Sequence, residues 1–146
     1  MPKFEREVEI DAPVEKVWEA ITNPRYWPQW LPGIEAVSDV TSSDEGGRFE
    51  WTGGERSGYA KIVKADPQKQ LEILTVSGDD KDSHVFKLRP SGGFLGLSAD
   101  ECKVKYILDT LTGGGILGNF IAGGNPVDAL KVKNTTNKLR KLVESL

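Results

Sequence analysis

The sequence predicts one α+β domain in which an antiparallel sheet is followed by a long C-terminal helix. Three observations carry this expectation. Seven segments read as strands, and the last six are joined by connections shorter than the dozen or more residues that a parallel crossover needs. The last 20 or so residues form an unbroken helical pattern, about 30 Å long at 1.5 Å per residue. At 146 residues the chain can bury one core but not two, so a single domain spans 1–146.

The first strand is Phe4 to Ile10, where Phe4, Arg6, Val8 and Ile10 share one side and Glu5, Glu7 and Glu9 the other. Asp11-Ala12-Pro13 then offers a capping residue and an early-turn proline, and Val14, Val17, Trp18 and Ile21 recur at helical spacing. Asn23-Pro24 repeats that signal and opens a second short helix carrying Trp27, Trp30 and Leu31, which Pro32-Gly33 ends. Six further strands are expected at Ile34 to Thr41, Arg48 to Thr52, Ser57 to Ala65, Leu71 to Ser77, Ser83 to Arg89 and Glu101 to Thr110. Turns such as Gly46-Gly47, Gly53-Gly54, Asp66-Pro67 and Gly78-Asp79-Asp80 separate them, as an antiparallel meander requires. In the last strand Cys102, Val104, Tyr106 and Leu108 face one way and Glu101, Lys103, Lys105 and Asp109 the other. Asn125-Pro126-Val127-Asp128 reads as cap, proline and acidic first turn of the final helix, which runs to Leu146. Its apolar stripe is Val132, Leu139, Leu142, Val143 and Leu146, with Asn134 and Asn137 interrupting the middle.

Composition narrows the function classes. A net charge of −3 from 19 basic and 22 acidic residues gives no basic footprint for nucleic acid. No stretch of about 18 apolar residues suggests stable membrane insertion, and the charged opening, Met1 to Glu7, has no secretory pattern, so a cytoplasmic location is expected. One cysteine and one histidine offer neither an internal disulfide nor a zinc cluster, and no cofactor or metal is expected.

Ile10-Asp11-Ala12-Pro13-Val14-Glu15-Lys16-Val17-Trp18 and Asn23-Pro24-Arg25-Tyr26-Trp27-Pro28-Gln29-Trp30 resemble the opening of the SRPBCC, or START-like, superfamily, in its polyketide cyclase/dehydrase and lipid-transport branch. The resemblance extends over the whole chain in element order: strand, two helices, six strands, long helix. It implies a helix-grip fold, with the sheet wrapped about the last helix and a cavity between them. Members bind lipids, sterols, polyketides or plant hormones, and some catalyse reactions.

The cavity also has a physical basis, because a bent sheet and a straight helix cannot touch along their full lengths unless large side chains fill the gap. Asn134 and Asn137 would suit a hollow or wet site, or else simply face solvent. Trp27, Trp30, Trp51, Tyr59, Phe86, Tyr106 and Phe120 offer flat surfaces for a ring-containing or acyl ligand, or pack as ordinary core; Leu108, Leu130 and Asn134 complete the expected lining. His84 shares a strand face with Phe86 and Leu88. It is a candidate proton carrier, with Tyr106, in a cyclase or dehydratase, or a satisfied core residue and part of the ligand lining. Arg6 could meet a ligand carboxylate or snorkel at the sheet edge. Glu50 and Asp109 read as surface charges, and Cys102 as structural.

Gly113-Gly114-Gly115-Ile116-Leu117-Gly118 satisfies a dinucleotide fingerprint formally, but a Rossmann unit needs a helix and then another parallel strand, and only the last helix remains. These glycines with Gly123-Gly124 flank a small apolar segment that reads as a lid hinged at Gly115 and Gly123, or as a rigid connector. Phe94 to Leu97 places apolar residues at a hairpin tip. Three functions follow as expectations: a binder of a hydrophobic small molecule, first; a polyketide-type cyclase/dehydratase; and a protein-interaction module using the Phe94 to Leu97 tip. The expected state is a monomer or weak homodimer.

Overall fold

Alternation along the strands decides which face of the sheet is dry. In β1 (Lys3–Ile10) Val8 and Ile10 are buried while Glu5, Glu7 and Glu9 are exposed, and in β7 (Glu101–Thr112) Cys102, Val104, Tyr106 and Leu108 are buried. The two strands pair antiparallel with Arg6 opposite Tyr106 and Val8 opposite Val104, so their apolar sides coincide. This computed structural model describes residues 3–91, 101–112 and 126–146. Between β1 and β7 in sequence lie β2 (Ala36–Ser38), β3 (Arg48–Gly53), β4 (Arg56–Asp66), β5 (Gln70–Ser77) and β6 (Asp80–Ser91). The sheet order is β1-β7-β6-β5-β4-β3-β2, all neighbours antiparallel, which makes the expected seven-stranded curved sheet, with β2 to β7 as a meander and β1 on the far side of β7.

β1 and β2 occupy opposite edges, so the chain between them must cross the sheet. It does so through α1 (Val14–Thr22), a 3-10 turn (Pro24–Tyr26) and α2 (Trp27–Trp30). Asn23 caps the 3-10 turn as its sequence predicts, accepting the Arg25 N–H at 3.0 Å. The cap expected of Asp11 is absent: Pro13 stands at the N-cap of α1 without a side-chain bond, and the Asp11 N–H donates to Glu144 at 2.9 Å. The strand expected over Ile34 to Thr41 shrinks to Ala36–Ser38, and Asp39 with φ +53° accounts for its end, because that left-handed conformation cannot continue a ladder.

Trp27 and Trp30 are fully buried. Their indole N–H groups donate to Ile21 O at 2.8 Å and Ala20 O at 3.0 Å, which satisfies the polar edge of each ring. Trp27 stacks on Phe49 at 4.3 Å and Trp30 meets Phe86 edge-on at 5.1 Å, so the crossing helices are bolted to the concave face of the sheet. Burial of each such ring stabilises the fold by roughly 1.5–3 kcal/mol.

The final helix, α3 (Pro126–Ser145), lies along β1 and β7 and against α1 and α2. Its buried face is Val132, Thr135, Thr136, Leu139 and Val143, at the three- and four-residue spacing of one helical side. The polar interruption of the stripe is therefore a pair of threonines; Asn134 is exposed and Asn137 half-buried. Arg6 is half-buried and turned toward α3. Its Nη1 lies 3.0 Å from Thr136 Oγ1, 3.0 Å from Asn137 Oδ1 and 3.1 Å from Lys133 O, tying β1 to the middle of α3.

Candidate functional site

Successive rows across the concave face change from apolar to polar. Tyr106, Phe86 and Leu71 stand in one row, and Leu108, His84, Ile73 and Ile62 in the next. Beyond them come Thr110, Asp82, Thr75 and Ala60, and then Ser77 and Asp80 toward the strand ends. At this polar end the sheet, the Pro32–Ile34 segment and α3 enclose a cavity of about 110 Å³. Trp51, Thr75, Ser77, Asp80 and Asp82 form its sheet wall, Lys131 faces them from α3, and Gly53 and Arg56 stand at its rim. That volume exceeds the roughly 30 Å³ share of one water and approaches the roughly 150 Å³ of a dry cavity that admits benzene.

Close backbone approach shapes the wall. A Cβ on Gly53 would lie 1.8 Å from Gly33 O, so only glycine lets the end of β3 come against the Pro32–Gly33 corner. Two ion pairs cross the cavity wall: Arg56 with Asp80 at 3.2 Å, and Lys131 with Asp82 at 4.0 Å.

Behind Thr75 runs a buried hydrogen-bonded chain. His84 Nε2 lies 3.0 Å from Thr75 Oγ1, and His84 Nδ1 lies 2.6 Å from the Tyr106 hydroxyl. His84 and Tyr106 rings are nearly parallel at 5.9 Å, and Tyr106 stacks on Phe86 at 4.7 Å. Burial, and then the nearby Lys131 charge, push the His84 imidazole down to about 3, so it is neutral at physiological pH. Thr110 Oγ1, in the row of Asp82, is buried without a hydrogen-bond partner among the described residues. Burial pushes the Cys102 thiol up to about 11, which makes it an inert part of the core.

The structure brings only part of the expected lining together. Trp51 lines the cavity; His84 and Tyr106 sit one hydrogen bond and two hydrogen bonds behind Thr75. Trp27, Trp30, Phe86 and Leu108 are packed in the core. Tyr59 is on the outer face, opposite Glu50 and beneath the Arg48 guanidinium at 4.3 Å, because Ala60 and Ile62 take the inward positions of β4. Leu130 is 56% exposed and Asn134 is exposed; both line a groove outside α3. Phe120, the apolar segment hinged at Gly115 and Gly123, and the Phe94 to Leu97 tip lie outside the described residues. Sequence reasoning missed Thr75, Ser77, Asp80, Asp82 and Lys131. The period-two run Asp82, His84, Phe86 was the available signal for Asp82, and Leu71, Ile73, Thr75 the signal for Thr75.

A family model described as "Polyketide cyclase / dehydrase and lipid transport" matches residues 1–93, well over half of the chain. The chain belongs to this family. Its fold recurs in solved structures of low sequence identity. A protein from Thermus thermophilus is 16% identical, with TM-score 0.72 over 99% of this chain and 98% of the other. A conserved protein from Geobacillus kaustophilus is 15% identical, with TM-score 0.72 over 98% and 95%. Truncated norcoclaurine synthase from Thalictrum flavum is 15% identical, with TM-score 0.66 over 97% and 92%. No curated protein matches in sequence. These likenesses show a shared fold. Among the described residues, no helix is long and apolar enough to cross a membrane.

Proposed function

We propose that this polyketide cyclase/dehydrase family member binds a hydrophobic small molecule, a lipid, polyketide or other ring-containing compound, between its concave sheet and α3. The observation that carries the reading is the 110 Å³ cavity at the polar end of the concave face. Its volume suits one ring or a short acyl segment, and its hydroxyls suit hydrogen bonds to substituents on that segment. Family membership supports the same reading, since the family description names lipid transport.

Native mass spectrometry of protein isolated from cells, followed by thermal melts with short acyl chains and single-ring aromatics, tests it. A bound species or a ligand-dependent rise in Tm is expected; at a hundredfold excess over Kd the added stability is about 2.7 kcal/mol. A guest-free protein whose Tm none of these compounds moves would overturn the proposal.

A second reading, an enzyme of cyclase/dehydratase type, is favoured by the Thr75–His84–Tyr106 chain, which begins at the cavity wall. A neutral imidazole bonded at both nitrogens relays a proton rather than storing one. On any substrate found, turnover unchanged in both His84→Gln and Tyr106→Phe removes that mechanism.

A further inference from the structure

The interior cavity and a groove on the molecular surface share three residues. Pro32, Gly33 and Lys131 line both, so this corner of the α2–β2 connection and one turn of α3 form the partition between inside and outside. The groove has a volume of about 230 Å³. Beyond the shared corner it is walled by Leu130, Asn134 and Lys138. Lys131 and Lys138 are seven residues apart, two helical turns, which places their stems on one side of α3 about 10 Å apart along its axis. Among the described residues lining the groove there is no carboxylate; on the inner side of the partition Asp82 meets Lys131 at 4.0 Å. Two cations on one wall, an amide donor between them and an exposed Leu130 shoulder form a surface complementary to an anion attached to an apolar body.

We propose that the ligands this protein prefers are organic acids, held with the anionic group in the groove between Lys131 and Lys138 while the apolar body passes the Pro32–Gly33 corner into the cavity. The inference rests on the cavity-binding reading above and adds the chemical class of the guest and the way in. Lys131 is then a specificity-determining residue, because it touches both spaces and is held toward the partition by Asp82. An acid gains the attraction of both lysines at a partly solvated site, whereas a neutral analogue of the same shape gains only the burial of its rings.

Two single-ring probes that share a skeleton, read by calorimetric titration, separate these terms: 3-phenylpropionate, an anion, and 3-phenylpropionamide, its neutral counterpart. At low salt the anionic probe is expected to bind about tenfold tighter, and this preference should shrink at physiological ionic strength. Lys131→Gln and Lys138→Gln should each weaken the anionic probe about three- to tenfold and change the neutral one less than about twofold. Lys138 is exposed, so its variant folds and keeps the test valid even if loss of the Asp82 pair perturbs Lys131→Gln. Equal affinities for the two probes, or equal losses of both in the lysine variants, would overturn the acid preference and leave the cavity reading intact. Binding of neither probe would overturn both.

Discussion

His84 is the only imidazole in the chain, and the fold holds it neutral between Thr75 and Tyr106. Its folded value of about 3 lies well below the value near 6.5 that it takes in the unfolded chain. Above about pH 6.5 neither state is protonated at this site, so it gives stability no slope. Between about 6.5 and about 3 the unfolded chain binds the proton that the folded chain refuses, and stability falls as pH falls. The loss is at most about 1.4 kcal/mol per pH unit and is complete below the folded value. Proton NMR should therefore find imidazole resonances that do not move between about pH 8 and about pH 5.5. Chemical denaturation should find that the stability difference between the native protein and His84→Gln narrows as pH drops through that range. An imidazole that titrates near its unfolded value would contradict both the burial and the neutral hydrogen-bonded chain.

At the scale of elements, the position of Lys131 depends on how α3 is docked, and Arg6 is the principal polar tie between that helix and the sheet. One guanidinium nitrogen reaches a hydroxyl, an amide oxygen and a backbone carbonyl of α3, at 3.0 to 3.1 Å. Arg6→Met keeps much of the aliphatic stem and removes these bonds, and should cost about 2 kcal/mol in urea unfolding, the range for hydrogen bonds to a charged group. A loss below about 0.5 kcal/mol would mean that apolar packing alone seats the helix. The same helix shows where a sequence stops being legible. Val132, Leu139 and Val143 declare its inward side, yet Thr135 and Thr136 occupy the middle of that side, and counting only apolar residues draws attention to Asn134 and Asn137 instead. In β7 alternation is complete and the concave face reads directly; in β4 the small Ala60 points in and the large Tyr59 points out, so residue size misleads where period two does not. The cavity wall was hidden for another reason. Thr75, Asp82 and Lys131 come from three elements, and only the register of β5 on β6 and the seat of α3 bring them together.

At the scale of the whole molecule, the described residues form a packed part of the interior and a hollow part. The α1–α2 crossing packs Trp27 and Trp30 against Phe49 and Phe86 of the sheet's concave face, while the void sits where Pro32–Ile34, the ends of β5 and β6 and Lys131 converge. If the void is the binding site, filling it should separate stability from function, since a core gains from closer packing whereas a guest loses its place. Ile34 is buried at the cavity wall, and Ile34→Phe would project a ring into the space. The variant should unfold within about 1 kcal/mol of the native protein, because the added ring occupies existing volume and displaces no core side chain. Its affinity for a ligand of the native protein, read by fluorescence titration, should fall at least about tenfold. Native affinity in a folded Ile34→Phe protein would place binding elsewhere on the molecule, and a large stability loss would mean that the Pro32–Ile34 corner has no room to spare.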